Sequence, residues 1–368
     1  MNDSDELRGL VMPELYLPMP PHEPNPSYQQ AYDAMWEWVD SFELFTDDRA
    51  WEVGGGRLAY TTALAHPWAS PERLITAACV FAYAYWIDLE LSEGAASGDV
   101  RRCGQVVDPH VEVINGGKPK SRQAEALADV LTRMEAGRSP GWVKRYRQSW
   151  EDNFVANFRE CVVKHTGSGL TLAQYPDHRR HSSATAVSVD LGEYGLDIDV
   201  PETVRKLPAW NQLRLAVVDH TGFSNDLIGF SRELSTSDPY NGVLILRKER
   251  GCSLQEAADA FNDEAVTVAM RHAVTAHGKL PRELECVTDD ERVRRDAMRF
   301  ADSLLVHMRG MADAQLSSAR FSGPGFETPP RPRPPSAGGY ESRTWLTCPV
   351  SFDLAGDQPR DRCGCKDG

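Results

Sequence analysis

Apolar side chains recur every three or four positions over most of this chain, which is the spacing of amphipathic α-helices. The alternation typical of strands is scarce outside the segment AVSVDLGEY at residues 186–194. The pattern therefore predicts an all-α protein, a helical bundle whose helices extend from residue 28 to about residue 320. Two of the predicted apolar faces consist of Ala31, Met35, Trp38 and Phe42, and of Leu74, Ala77, Ala78, Phe81 and Tyr85.

Loop-forming segments divide this pattern, and residues typical of helix caps follow several of them. The expected breaks are GGGRLAY, HPWASPE, GKPKSRQ, HTGSGLT and STSDPYNG. Ser70 precedes Pro71, and Ser253 begins a capping box with Glu256. We predict an extended, proline-rich arm over residues 1–27, one helical domain over residues 28–321, and a disordered Pro/Gly-rich tail over residues 322–368.

Net charge excludes one broad class of function. The 368 residues include 40 basic and 54 acidic side chains, which gives a net charge of −14. General nucleic-acid binders need a basic surface that neutralises phosphates, so we expect no nucleic-acid partner. The chain also has no uninterrupted run of roughly 20 apolar residues, so we expect no membrane span.

Cysteine usage and the N-terminal sequence indicate a cytoplasmic location. The first 20 residues are acidic and interrupted by prolines, unlike a signal peptide. The eight cysteines are scattered along the chain, as is typical of reduced thiols. Cys363 and Cys365 have too few potential ligands near them in the sequence to indicate a zinc site.

The segment NDLIGFSRE at residues 225–233 is a candidate metal site. Asn225, Gly229 and Glu233 are four residues apart, so a helix would stack them on one face. An amide oxygen and a carboxylate are hard ligands of the kind that Mg²⁺ takes together with water and phosphate oxygens. Arg232 could bind the same polyanion. The spacing alone is equally typical of a polar helix face that is exposed to solvent, which remains the alternative to a metal site.

A second acidic cluster ends the apolar segment FAYAYWIDLELSEG. It contains Asp88, Glu90 and Glu93. Asp88 shares a helical face with Phe81, Ala84 and Tyr85, so an acid would stand at the end of an aromatic wall. A helix that simply emerges into water would carry the same residues.

Taken together, the two clusters resemble the motifs of bacterial class I terpene cyclases with a single α-domain. The later motif of that family has the form Asn/Asp-Asp-x-x-Ser/Thr-x-x-x-Glu. Asp88 lies 137 residues before Asn225, close to the family's separation between its two metal motifs. Arg179 lies 46 residues before Asn225, where the family has its diphosphate-sensing arginine. Arg320-Phe321 resembles the family's C-terminal Arg-Tyr pair, and the resemblance spans roughly residues 20–321.

The resemblance implies the activity and assigns roles to these residues. The reaction would be Mg²⁺-dependent ionisation of a linear isoprenyl diphosphate, farnesyl (C15) or geranylgeranyl (C20), followed by cyclisation and release of diphosphate. It implies three magnesium ions and, as one option, a homodimer. The implied metal ligands are Asp88, Glu93, Asn225, Gly229 and Glu233; the diphosphate-binding residues are Arg179, Arg232, Arg320 and Phe321; and the catalytic residues are Arg179, Ser183 and Arg320.

The substrate pocket follows from the same resemblance. A helix break is implied after Arg179, where the backbone carbonyl of Ser183 would face the carbocation. Apolar and aromatic walls would stabilise the cation through π faces and exclude water. The predicted lining is Phe81, Ala84, Tyr85, Ser182, Val218, Thr221 and Gly222.

Three departures from the family pattern weaken the expected metal binding. Leu89 stands where the first motif has its second acid, Gly229 where the later motif has a hydroxyl, and Phe321 where the pair has tyrosine. Two alternatives stay open. One is a silent isoprenoid-binding protein, and the other is a prenyl diphosphate synthase, which would carry two aspartate-rich motifs.

Overall fold

Helices make up the regular secondary structure of the part of the chain that the structure describes. The structure is a computed structural model that describes residues 10–45, 58–235 and 240–317, with the backbone alone at residues 92–97, 232 and 235. No strand occurs among these residues, and the predicted all-α fold is confirmed. The helices are α1 (Tyr28–Ser41), α2 (Leu58–Ala65), α3 (Pro71–Ser97), α4 (Val100–Ile114), α5 (Arg122–Glu135), α6 (Pro140–Thr166), α7 (Tyr175–Ser182), α8 (Thr185–Leu196), α9 (Glu202–Arg205), α10 (Pro208–Ser235), α11 (Gly242–Arg250), α12 (Leu254–Phe261), α13 (Thr267–Val287) and α14 (Glu291–Leu316).

Local signals in the sequence account for where several helices begin and end. α3 begins at Pro71, and the Ser70 hydroxyl accepts a hydrogen bond from the Arg73 amide. Ser253 and Glu256 form the predicted capping box at the start of α12. The predicted breaks at 66–72, 117–123, 165–171 and 235–242 fall between α2 and α3, α4 and α5, α6 and α7, and α10 and α11. Turn and capping chemistry therefore sets these boundaries.

The short helix α8 lies at the centre of the bundle, where it packs against α3, α6, α7, α10 and α14. It contains the segment 186–194, whose alternation is strand-like, and nearly all of its residues are buried. A helix that is covered on every side needs no apolar stripe, which explains why its sequence lacks helical periodicity. Its two buried carboxylates pair with arginines: Asp190 with Arg214, and Glu193 with Arg205.

The arm is described from residue 10 and crosses the domain without forming a helix. Gln255 exchanges two 2.9 Å hydrogen bonds with the backbone of Val11. Arg309 donates to the Met19 carbonyl at 2.8 Å, and the Asn25 side chain donates to the carbonyl of Ala69 at 2.8 Å. These contacts hold the extended segment against α12, α14 and the loop before α3. The predicted tail, residues 322–368, lies outside the described residues.

Among the described residues, one helix is long and apolar enough to cross a membrane by length and composition, the segment Pro71–Leu91 in α3. The core helix of a globular domain meets the same test, and 67% of its most apolar window is buried in the fold. The five cysteines among the described residues are free thiols. The cytoplasmic location stays a prediction.

Glycine allows α14 to pack directly on α2. A Cβ atom at Gly310 would contact the Leu64 carbonyl oxygen and lie 2.7 Å from the Leu64 carbonyl carbon and 3.1 Å from the Ala65 nitrogen. These atoms belong to a helix backbone, which cannot rotate away as a side chain can.

We therefore expect Gly310→Ala to lower the free energy of unfolding by about 1–3 kcal/mol, because α14 must move away from α2. Gly278→Ala is the matched control, since Gly278 is exposed within α13 and its Cβ would meet nothing within 4 Å. That variant should gain roughly 0.5–1 kcal/mol from helix propensity. Urea unfolding measures both, and equal effects would contradict this account of the α2–α14 contact.

Three histidines are buried together in the interior. His66 and His307 have ring centroids 5.6 Å apart. Burial lowers the pKa of His220 to about 3, with His307 adding to the effect, and lowers the pKa of His307 to about 4. Burial and His307 also hold the pKa of His66 well below its ordinary value. All three are therefore neutral at physiological pH.

The buried histidines should make the fold sensitive to acid. Below pH 6.5 the unfolded chain protonates these side chains while the folded protein does not, so stability falls as the pH drops toward 4. Each histidine contributes at most about 1.4 kcal/mol per pH unit. His307→Gln should reduce the slope of the unfolding free energy against pH between pH 6 and 5, relative to the wild type. The expected reduction is about 1.4 kcal/mol per pH unit, which corresponds to one bound proton. An unchanged slope in denaturant titrations would show that His307 titrates normally.

Candidate active site

A cavity of about 270 Å³ opens between the central helix and its neighbours. Its lining is apolar along the earlier part of α3 and ends at Asp88, and on α10 it runs from Thr221 and Gly222 to Glu233. Both helices therefore carry acidic groups toward their C-terminal ends. The predicted pocket residues that line this cavity are Phe81, Ala84, Tyr85, Ser182, Thr221 and Gly222.

Arg179, on α7, lies against the predicted metal motif of α10. Its Nη2 donates to Asn225 Oδ1 at 3.0 Å and lies 2.7 Å from Asp226 Oδ1. The second carboxylate oxygen of Asp226 accepts from the Tyr175 hydroxyl at 2.6 Å and from the Gly242 amide at 2.7 Å. The 46-residue spacing in sequence thus corresponds to a direct contact that joins α7, α10 and α11.

Burial and mutual charge set the protonation of this pair. Burial raises the pKa of Asp226 to about 6, while Arg179 opposes the rise and Glu233 adds to it. Burial acts to lower the pKa of Arg179, yet Asp226 holds that pKa above its ordinary value. Arg179 is therefore a fixed cation beside the cavity. Its Nε is buried and has no hydrogen-bond partner among the described residues.

Asn241 orients the acid at the end of the motif. Its side-chain nitrogen donates to Glu233 Oε2 at 2.7 Å and to the Asp226 carbonyl at 2.8 Å. Its side-chain oxygen caps α11 by accepting from the amides of Val243 and Leu244. One buried residue in a loop thus links Glu233 to the start of the next helix.

The helical backbone is interrupted between α7 and α8, at Ser183 and Ala184. This interruption begins four residues after Arg179. Ala184 has a positive φ of 54°, a left-handed conformation that disfavours residues with a Cβ atom. From α6, Asn153 donates to the carbonyls of His181 and Ser182 at 2.8 and 3.1 Å. These bonds anchor the end of α7 while Ser183 and Ala184 line the cavity. The structure thus has a helix break at the position that the family resemblance implies.

The remaining predicted ligands divide into described and undescribed groups. Asp88 lines the cavity. Glu90 lies 3.9 Å from Arg102 of α4 and is absent from the cavity lining. The side chains of Glu93 and Arg232, and all of Arg320 and Phe321, lie outside the described residues.

Two predicted residues are placed away from the cavity. Val218 packs in the apolar core between α10, α13 and α14, because the cavity lining on α10 begins one turn later at Thr221. Gly229 is buried, lacks a side-chain ligand and does not line the cavity. The predictions of Val218 as pocket wall and of Gly229 as metal ligand are therefore corrected.

Known proteins share both this sequence and this fold. The family model for terpene synthase family 2, C-terminal metal binding, matches residues 99–268, which include Arg179 and the 225–233 motif. The (2Z,6E)-hedycaryol synthase of Kitasatospora setae is 28% identical over 88% of this chain and 96% of its own length. The 7-epi-α-eudesmol synthase of Streptomyces viridochromogenes is 27% identical over 78% of this chain and 85% of its own length. A solved structure of hedycaryol synthase in complex with HEPES superimposes with a TM-score of 0.72 at 28% identity, covering 83% of this chain and 98% of that one.

The chain belongs to the terpene synthase family. The predicted enzyme class, a terpene synthase that acts on an isoprenyl diphosphate, is confirmed. The terpene cyclase interpretation is supported over the two alternatives, the silent isoprenoid-binding protein and the prenyl diphosphate synthase. The matched part of this terpene synthase is a metal-binding domain.

The donor set of the terpene synthase fits a hard metal ion that shares its ligands with a substrate. Asp88, Asn225 and Glu233 all line the cavity and offer carboxylate or amide oxygens. Among the described side chains, however, no three His, Cys, Asp or Glu residues cluster closely enough to hold a metal by themselves. Water and diphosphate oxygens would have to complete the coordination, which is the usual arrangement for Mg²⁺.

Sequence reasoning missed several polar residues of the cavity wall. Asn153, Asn157 and Glu160 line the cavity from α6 and follow an i, i+4, i+7 pattern that could have identified them as one polar face. Asp226 lies inside the 225–233 motif, but the sequence analysis assigned it no role. Asn241 lies in a loop, and no periodic signal identifies it.

Asn241 should tune metal binding through Glu233. Asn241→Ser keeps a residue that caps helices but is too short to reach Glu233 Oε2, so the carboxylate loses its fixed position. We expect the Mg²⁺ concentration for half-maximal activity to rise at least fivefold, and direct Mg²⁺ binding in the presence of inorganic diphosphate, followed by calorimetry, to weaken in parallel.

The matched control is Asp290→Ser, which changes a cap of the same kind at the start of α14. It should leave the Mg²⁺ requirement unchanged. A similar rise in both variants would mean that loss of stability, and not the orientation of Glu233, causes the effect.

Proposed function

We propose that this terpene synthase cyclises farnesyl diphosphate (C15) to a sesquiterpene with release of diphosphate. The observation that carries the proposal is the contact of Arg179 with Asn225 and Asp226 at the wall of a cavity whose other sides include aromatic and aliphatic residues. Such a site offers a polar end for diphosphate and an apolar end for a hydrocarbon chain.

Cavity size supports the shorter of the two substrates considered. At about 270 Å³ the cavity is near the lower limit of small-molecule sites, roughly 300–1,000 Å³. The names of two relatives specify (2E,6E)-farnesyl diphosphate cyclizing synthases. Both considerations favour a C15 chain over a C20 chain.

The polar end would bind the diphosphate and its counter-ions. Asp88, Asn225 and Glu233 would hold Mg²⁺, with three ions as the proposed number. Bound Mg²⁺ would supply positive charge that stabilises the leaving diphosphate. The Arg179 guanidinium would donate to a diphosphate oxygen, and Asp226 holds the pKa of Arg179 high enough to keep it charged throughout. Glu93, Arg232, Arg320 and Phe321 stay predicted members of this end, and a homodimer stays one option for the assembly.

The apolar end would fold the hydrocarbon chain and protect the cation. Phe81 and Tyr85 would present ring faces to it, while Ala84 and Gly222 leave space. A Cβ atom at Gly222 would lie 3.4 Å from the Arg179 side chain, so this glycine also lets α10 approach Arg179 closely. The carbonyl of Ser183, at the helix break, would face the positive charge.

Arg179 and its neighbour Arg180 provide a matched test. Arg179→Gln should lower kcat with farnesyl diphosphate by at least about 100-fold, because a cation that stabilises developing charge is lost. Arg180 pairs with Asp219 and does not line the cavity, so Arg180→Gln should stay within about threefold of wild type. The activity of both variants is measured as diphosphate release and by gas chromatography–mass spectrometry of the products from C10, C15 and C20 diphosphates.

Circular dichroism should show both variants helical. Substantial turnover by Arg179→Gln would place the diphosphate elsewhere. A wild-type preference for the C20 substrate would overturn the assignment of chain length.

A further inference from the structure

Two asparagines of α6 hold the buried end of α7. Asn153 and Asn157 lie one turn apart on α6, line the cavity and are only 2% and 8% exposed. Asn153 Nδ2 donates to the carbonyls of His181 and Ser182 at 2.8 and 3.1 Å. Asn157 Nδ2 donates to the same Ser182 carbonyl at 3.2 Å. Two side-chain amides thus pair with the last two carbonyls of α7.

These bonds replace ones that the next helix does not supply. The last carbonyls of a helix have no donor within that helix, and a buried polar group without a partner destabilises a fold. α8 starts at Thr185, and the Ser188 amide donates back to the Ala184 carbonyl at 3.2 Å. Among the described residues no backbone amide donates to the Ser182 carbonyl, so its pairing depends on the asparagines of α6.

The carbonyl of Ser183 is the exception at this helix break. It accepts no hydrogen bond from the described residues, although the carbonyls on either side, at Ser182 and Ala184, are both paired. Ser183 itself lines the cavity. Peptide groups are planar and each residue has only two free dihedral angles, so pairing of the two neighbouring carbonyls restricts the orientation of the one between them. The break thus presents an unpaired dipole whose direction is restricted from both sides.

We propose that Asn153 and Asn157 are positioning residues for cyclisation, which fix the orientation of the Ser183 carbonyl and thereby set the ratio of products. The inference rests on the proposed function, which supplies a carbocation in this cavity. The asparagines act through the carbonyls at the end of α7 and not by contact with the substrate. Arg179 is held separately, because Asp226 of α10 binds it. Loss of an asparagine should therefore alter cyclisation and leave diphosphate binding intact.

The orientation of a carbonyl matters because a fixed dipole stabilises the charge toward which its negative end points. A carbocation that can follow several routes selects among barriers of similar height, so a small change in one barrier changes the ratio of products. A reoriented Ser183 carbonyl would stabilise a different position of the charge. The product ratio reports that change independently of the overall rate.

The test compares Asn153→Leu and Asn157→Leu with the wild type, using farnesyl diphosphate, Mg²⁺ and gas chromatography–mass spectrometry of the products. Leucine is close to asparagine in shape but has no donor. Asn153→Leu removes two bonds to α7, and the ratio of the main product to all others should fall at least about fivefold. Asn157→Leu removes one such bond and should cause a smaller fall. KM for farnesyl diphosphate and the Mg²⁺ requirement should stay within about twofold of wild type, because Arg179 keeps its partners on α10.

A crystal structure of Asn153→Leu separates positioning from direct contact with the substrate. The backbone dihedral angles at Ser183 and Ala184 should differ from those of the wild type, in which Ala184 has a φ of 54°. An altered product ratio with an unchanged break would mean that Asn153 touches the hydrocarbon chain, and would overturn the proposal. If Asn153→Leu fails to fold, Asn157→Leu decides in both measurements.

Asn25→Leu is the matched control. Asn25 is 2% exposed, and its Nδ2 likewise donates to two backbone carbonyls, those of His66 at 3.2 Å and Ala69 at 2.8 Å. It does not line the cavity, so this variant should lose stability in urea and keep the wild-type product ratio. An equal product change in Asn25→Leu, or a wild-type ratio in both α6 variants, would overturn the role of the asparagines and leave the cyclase intact. Absence of diphosphate release by the wild type with every isoprenyl diphosphate would instead overturn the proposed function itself.

Discussion

The buried carboxylate of Asp226 is the constraint on which the site depends. It binds Arg179, the Tyr175 hydroxyl and the Gly242 amide, and so connects three helices at one point. A buried ion pair adds little net stability, because desolvation offsets most of the attraction. Removal of one partner, however, leaves an uncompensated charge. Here the pair fixes where α7 lies against α10, and this position brings Arg179 to the first ligand of the predicted metal motif.

The helix break after Arg179 connects the two ends of the cavity. Because α7 stops at Ser182 and α8 restarts at Thr185, the same short segment carries the arginine proposed to bind diphosphate and the Ser183 carbonyl proposed to face the carbocation. Strain at Ala184 is tolerated since α6 anchors the preceding carbonyls and α8 is buried on every side. The groups proposed to bind the diphosphate and to face the carbocation thus lie on one rigid segment. This arrangement suits a reaction in which ionisation and cyclisation follow each other in a cavity that excludes solvent.

Sequence patterns predicted those parts of the site that have a fixed geometry. The spacing of Arg179 from Asn225 corresponds to a direct hydrogen bond, and the i, i+8 pair Asn225 and Glu233 lines the same cavity. Val218 was misplaced because helical periodicity gives the direction of a side chain but not how far along the helix a cavity extends. Asn241 could not be predicted, since its role depends on how a loop returns to α10. The alternation of 186–194 was ambiguous because burial on all sides removes the periodic signal.

The two departures at Leu89 and Gly229 change how metal and substrate depend on each other. With no acid at 89 and no hydroxyl at 229, the proposed ligands among the described residues are Asp88, Asn225 and Glu233, from two helices that line the cavity. Fewer protein ligands leave more coordination positions for diphosphate oxygens, so the proposed metal binding and substrate binding become more strongly coupled. Arg179 strengthens this coupling, because in the ligand-free protein it donates to Asn225 and competes for the oxygen that a metal would use. Substrate that draws the guanidinium toward its phosphates would release that oxygen. A site that is complete only when both components arrive would delay ionisation until the hydrocarbon chain lies in the cavity.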